Sequence, residues 1–201
     1  MQISEIFYSI QGEGTNLGIP AVFLRLSGCN LRCEWCDTAY AWKKGKEMKT
    51  SEILSKIKSF PAHHLVITGG EPLLQQDELK LLLELLKNYY IEIETNGTIK
   101  PKISRLVNQY NCSPKSQNLK KFPISKTFYK FVIGDKKDLK TTKEIISTHK
   151  IPAKKMILMP KGTNAAQLEK TSKWLAEICL RENLRFTPRL HINLWNNAPK
   201  K

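Results

Sequence analysis

The chain has 201 residues, 41% of them hydrophobic and 25% charged, with a formal net charge of +15. Its length suits one domain with a sizeable core, and no run approaches the ~18 uncharged apolar residues of a membrane-spanning helix. The opening MQISEIFYSIQGEG lacks the basic and apolar regions of a secretion signal, so a cytoplasmic chain without membrane association is expected. The lysines are scattered along the chain and not gathered on one arm or helix face, which reads as a solvated surface before it reads as a nucleic-acid interface.

In chain order, AVFLRLSG from Ala21 reads as a buried strand that runs directly into a cysteine loop. A polar helix is expected at 50–60. LVITGG, from Leu65, is a β-branched strand closed by two glycines, and Pro72 then permits the first turn of a helix over 72–89 with Leu79, Leu82, Leu83 and Leu86 as its core stripe. Residues 91–95 alternate as a strand that stops at Asn96-Gly97, a turn signal. A short helix is expected over 102–109, and Cys112 falls on a short strand. FYKFVIG from Phe128 is a strand, 139–149 a helix, MILMP from Met156 a strand and 165–181 a helix.

This alternation predicts an α/β chain, a partial, open (β/α) barrel of about six parallel strands. Residues 1–201 form one domain, least defined from about residue 183. GCNLRC, TGGEP, ETNG, NCSPK and MPKG all fall at strand C-terminal ends, where such sheets bind ligands.

Five cysteines make a poor disulfide framework, because Cys29, Cys33 and Cys36 crowd into GCNLRCEWCDT while Cys112 and Cys179 stand alone. The C-x3-C-x2-C loop can wrap three corners of an iron-sulfur cube and leave the fourth open. Soft thiolates also suit zinc, which would need a fourth ligand from Cys112 or a histidine. Cys112 and Cys179 read as core thiols, and His63 and His64 as surface loop residues.

Other residues stand out by position. Gly69 and Gly70 let backbone approach a ligand, or simply make a tight turn, and Glu71 can accept from a cationic amino group. Glu94 can accept from two ribose hydroxyls or stabilise its turn. Arg25 sits inside an apolar strand, where either a structural ion pair or a bidentate bond to a ligand carboxylate would explain it.

The three-cysteine loop resembles the radical S-adenosylmethionine superfamily. FYSIQGEGTNLGIPAVFLRLSGCNLRCEWCDT, followed in order by TGGEPLLQ, IETNGT, SPK and a strand ending in MP, closely resembles the 7-carboxy-7-deazaguanine synthases of queuosine and deazapurine biosynthesis. The likeness runs to about Gly162 and then weakens.

The resemblance implies conversion of 6-carboxy-5,6,7,8-tetrahydropterin to 7-carboxy-7-deazaguanine with loss of ammonia. It implies one 4Fe-4S cluster on Cys29, Cys33 and Cys36, S-adenosylmethionine used catalytically, and Mg2+ on Thr38. Trp35, Cys36, Asp37, Gly70, Glu71 and Glu94 would contact the cofactor, as would Ser113, Pro114 and Lys115, and Met159, Pro160, Lys161 and Gly162. Ile10, Gln11, Gly12, Glu13, Arg25 and Thr68 would contact the carboxypterin. A reductase or flavodoxin-type electron donor and a homodimer are also implied.

RLHINLW resembles the family's C-terminal histidine strand through His191, while Pro199 has no clear counterpart. Two other readings stand: an activase that makes a glycyl radical on another protein, and a zinc-stabilised RNA-binding module.

Overall fold

The computed structural model describes residues 1–34, 36–196, 198 and 200; Trp35 and Pro199 lie outside the described residues. Strands β1 (Gln2–Ile10) and β2 (Pro20–Leu26) make an antiparallel ribbon, and the short β3 (Lys46–Glu47) pairs antiparallel with β1. Helix α1 (Thr50–Lys58) leads to β4 (His64–Gly69), and α2 (Gln76–Glu84) to β5 (Tyr90–Thr95). Then come β6 (Gln109–Cys112), β7 (Thr127–Ile133), α3 (Lys136–His149), β8 (Met156–Pro160) and α4 (Ala165–Glu182). The chain closes on the two-residue β9 (Arg185–Phe186) and α5 (Leu190–Trp195).

The strands form one sheet in the order β3-β1-β2-β4-β5-β6-β7-β8-β9. From β2 onward every neighbouring pair is parallel, and the sheet stays open. The expected six parallel strands are β2 and β4 through β8. The antiparallel β1 and β3 make the sheet mixed, a feature the β/α alternation did not announce.

Side chains alternate across a strand, and here the alternation separates oil from charge. Leu24, Leu26, Leu65, Ile67, Ile91, Ile93, Tyr110 and Phe131 are fully or almost fully buried in one cluster with Ile53 and Ile57 of α1, Leu79, Leu82 and Leu83 of α2, and Leu175 of α4. The intervening positions carry Arg25, Thr68, Glu92, Glu94, Asn111 and Lys130. The helices therefore cover the apolar face, and the opposite face is left polar.

Three sequence expectations are corrected. Residues 102–108 form turns and bends before β6 begins at Gln109: Leu106 N donates to Ile103 O at 2.9 Å, and Asn108 is tied to β5, its N donating to Ile91 O at 2.9 Å and its Oδ1 accepting from Ile91 N at 2.8 Å, so the end of the segment pairs with a neighbouring strand and not within a helix. Helix α2 ends at Glu84, after which single tight turns lead into β5. RLHINLW is helical, not a strand; its apolar alternation is too short to separate the two periods.

Of the two histidines read as surface residues, His63 is exposed but His64 is buried at the start of β4, with Nε2 2.8 Å from Glu92 Oε2. Cys112 and Cys179 are buried core thiols.

Candidate active site

The cysteine loop is joined to the sheet by glycines. A Cβ on Gly70 would lie 2.0 Å from Gly28 O and 2.9 Å from Cys29 Cβ, and Gly69, at φ +131°, leaves no room for one beside Leu26 O. The glycine pair thus lets the end of β4 lie against the cysteine loop, where the sequence suggested approach to a ligand. Glu71 has a different task from the one expected. Fully buried, it accepts from Leu73 N at 3.0 Å and Thr95 Oγ1 at 2.9 Å through one oxygen, and from Asn96 N at 2.7 Å through the other. Its carboxylate caps the turn after β4 and ties it to the end of β5, away from the cavity.

A chamber of about 450 Å3 opens between the cysteine loop and the polar face of the sheet. Cys29, Cys33, Cys36 and Asp37 line one side of it, and Gly70 and Glu94 the floor. Ser113, Lys115, Met159, Lys161 and Gly162 line the far side. Pro114 and Pro160 are both buried and lie outside this lining.

A second chamber of about 210 Å3 adjoins the first and is lined by Ile10, Gln11, Gly12, Glu13, Arg25 and Thr68. Phe7, Phe23 and Tyr40 add aromatic walls, and His191 stands at its C-terminal side. Glu13, Arg25, Asp37, Thr38, Thr68, Glu94 and Arg189 line both chambers.

Between the chambers lies an ion network that the sequence reading largely missed. Lys130 Nζ is 2.5 Å from Glu13 Oε2 and 2.8 Å from Glu94 Oε2. Arg189 Nε donates to Glu13 Oε1 at 3.0 Å, while its two terminal nitrogens donate to Asp37 Oδ2 and to the carbonyl of Gly162. One guanidinium thus joins the substrate-side turn, the cysteine loop and the loop after β8.

Burial alone would raise the Glu13 pKa, but Lys130, Arg189 and His191 outweigh it and hold the carboxyl well below its ordinary range. Asp37 is likewise pulled down, against burial, by Arg189. Burial would lower the Lys130 pKa, and Glu13 and Glu94 reverse that and raise it. His191 is lowered by burial.

Gln11 is not free to read a ligand edge with its side chain. Its Nε2 donates to Glu92 Oε1 at 2.5 Å and its Oε1 accepts from Glu13 N at 3.2 Å. Glu92, wholly buried, also accepts from Asn16 and Asn111. Gly12 makes room for the chain's own imidazole: a Cβ there would lie 2.1 Å from His191 Nδ1, and Gly12 O accepts from Leu190 N at 2.9 Å.

The donor set fits an iron-sulfur cluster better than a zinc ion. The three loop cysteines are free and half-buried on one cavity wall, and the other two are buried in the core. A structural zinc ion takes four protein ligands, and this loop supplies three cysteines. Burial raises the Cys29 and Cys36 thiols, so metal must displace their protons. Thr38 donates to Asp37 Oδ1 at 2.8 Å, which leaves its oxygen lone pairs available at the junction of the chambers.

A profile of the radical SAM superfamily matches residues 24–175. The 7-carboxy-7-deazaguanine synthase of Pyrobaculum aerophilum is 38% identical over 218 aligned positions that cover all of this chain and 97% of the relative. The chain belongs to the 7-carboxy-7-deazaguanine synthase family. The synthase of Halobacterium salinarum is 33% identical, again over the whole of this chain and 92% of its own. The crystal structure of QueE from Escherichia coli shares the fold with a TM-score of 0.78 at 27% identity, over 94% of each chain.

Membership makes the protein a radical S-adenosylmethionine lyase of deazapurine biosynthesis, with a 4Fe-4S cluster and S-adenosylmethionine as its cofactors. Neither the activase nor the RNA-binding reading is favoured. The alignment with the Pyrobaculum synthase spans the whole chain and so takes in the segment past Gly162, with Arg189 and His191.

Proposed function

We propose that the chain converts 6-carboxy-5,6,7,8-tetrahydropterin into 7-carboxy-7-deazaguanine and ammonia, with S-adenosylmethionine in the larger chamber and the pterin in the smaller. The observation that carries this reading is the shared boundary: Arg25, Thr68 and Glu94 face both chambers, so their two occupants would lie side by side. Cys29, Cys33 and Cys36 would hold the cluster through three irons, leaving the fourth for S-adenosylmethionine. Together the two cofactors supply reversible hydrogen-atom abstraction, which starts a ring rearrangement that no closed-shell side chain can begin.

The protein's own groups bind and shield. Ser113, Lys115 and the loop after β8 enclose the cofactor's far end. Main chain around Ile10 and Gly12 pairs with the flat heterocycle, and Phe7 and Phe23, stacked at 5.0 Å, give it an apolar wall that excludes water. Arg25 takes the substrate carboxylate. Thr38 would offer Mg2+ a single hydroxyl ligand, too little to hold it tightly alone, and the ion would supply positive charge that helps hold an anionic substrate.

A single sheet running from Gln2 to Phe186 supports reading 1–201 as one catalytic domain. A reductase or flavodoxin-type protein would deliver the electron in the cytoplasm, to a homodimer.

Anaerobic reconstitution tests the cluster assignment. Wild-type protein should take up iron and sulfide and show a reducible cluster by electron paramagnetic resonance, whereas Cys33→Ala should retain neither cluster nor turnover. A Cys33→Ala protein that keeps both would defeat the three-cysteine assignment.

A further inference from the structure

Arg25 is held from behind. In the β1–β2 register Glu5 stands directly opposite Arg25, and Arg25 is the lateral partner of Thr68 on β4, so the three form one row across three strands. Glu5 Oε1 accepts from Arg25 Nε at 2.6 Å and from Tyr40 Oη at 2.7 Å. The guanidinium carbon also lies 5.8 Å from the Phe7 ring centre and 6.0 Å from that of Tyr40.

A guanidinium has five donors in a fixed fork. Here Glu5 takes Nε, and among the described residues none accepts from either Nη. The Glu5 and Arg25 side chains are 11% and 16% exposed, so the pair is screened little by solvent. The other carboxylates lining both chambers already have cations: Glu13 and Asp37 meet Arg189, and Glu13 and Glu94 meet Lys130. Nothing in that wall competes for the outer edge of Arg25.

We propose that Glu5 and Tyr40 are a positioning pair that presents the Nη edge of Arg25 to the substrate carboxylate, and that they thereby set the preference for a carboxylated over an uncarboxylated pterin. This rests on the reading of Arg25 as the carboxylate-binding residue. Glu5 acts in two opposed ways: its charge repels an incoming carboxylate, and its hydrogen bond fixes the fork that receives it. Orientation dominates, because a guanidinium released from Nε could swing along its long side chain and lose the two-point geometry.

The test measures binding of 6-carboxypterin and of pterin to the anaerobically reconstituted full chain by ligand fluorescence, and reads the ratio of the two dissociation constants. Wild type should favour the acid. Glu5→Ala should lower that preference about tenfold, the loss of one charge-assisted hydrogen bond, with pterin binding unchanged. Glu5→Gln, whose amide oxygen still accepts from Nε, should stay within about threefold of wild type.

Equal weakening of both ligands by Glu5→Ala would mean a merely structural role, and tighter binding of the acid by both Glu5 variants would mean that repulsion dominates. Either result overturns the proposal. If Glu5→Ala does not fold, Tyr40→Phe decides: a reduced preference supports the pair, and an unchanged one overturns it. Arg25→Met separates the layers. Should it leave the preference intact, the reading of Arg25 itself fails; should it abolish the preference while Glu5→Ala does not, only the positioning pair fails.

Discussion

Two strands of the sheet carry a single cation among apolar neighbours, Arg25 in AVFLRL and Lys130 in TFYKFVI, and the structure gives the two opposite duties. Arg25 lines both chambers and gives its Nε to Glu5, whereas Lys130 is 3% exposed and spent on Glu13 and Glu94. The same signal, a costly charge in a buried strand, was legible for both, but the sequence reading acted on it for Arg25 and passed over Lys130. Arg189 had no such signal, because an arginine in a short irregular tail is ordinary. Lys130→Met should destabilise the fold by about 3–5 kcal/mol in urea titration, since it leaves the partly buried Glu94 without its cation and Glu13 with Arg189 alone. Adding Glu13→Gln should recover part of that loss; a strictly additive double variant would show that the charges are not coupled.

Elements were legible where a strand was buried on both sides or alternated cleanly, as in LVITGG and YIEIET, and where leucines marked one face of α2. They were not legible where a segment is tied to a distant strand, as Asn108 is to Ile91, or where six residues fit both periods, as in α5. The glycines of TGGEP were singled out for close approach, and the carbonyl of Gly28 is one neighbour that comes close to Gly70. Gly70→Ala should therefore push the end of β4 from the cysteine loop while leaving the sheet intact. The expected outcome is near-native circular dichroism with iron uptake on reconstitution reduced several-fold. Full iron retention would show that the loop is positioned without this contact.

Across the whole molecule, one periodicity does two jobs: alternate residues of each strand meet the helices, and the residues between them form a polar wall. Stability should carry the mark of that wall. Glu13 and Asp37 have folded pKa values below their ordinary 4.5 and 3.8, so their contribution is present above those values and is lost as pH falls through the depressed ones. Lys130, raised above 10.5, contributes fully below that pH and loses its contribution as pH rises through its folded value. Urea midpoints measured from pH 5 to pH 2 should fall steeply for wild type and less steeply for Glu13→Gln; parallel curves would remove Glu13 from the account.

The central claim is that two adjoining chambers bring S-adenosylmethionine against a carboxypterin for ring contraction. Its most direct test is product analysis of the reduced, fully reconstituted enzyme with 6-carboxy-5,6,7,8-tetrahydropterin. The account predicts 7-carboxy-7-deazaguanine and ammonia in equal amounts, with product exceeding the S-adenosylmethionine consumed. A cluster-loaded enzyme that cleaves S-adenosylmethionine and leaves the carboxypterin unchanged would contradict it.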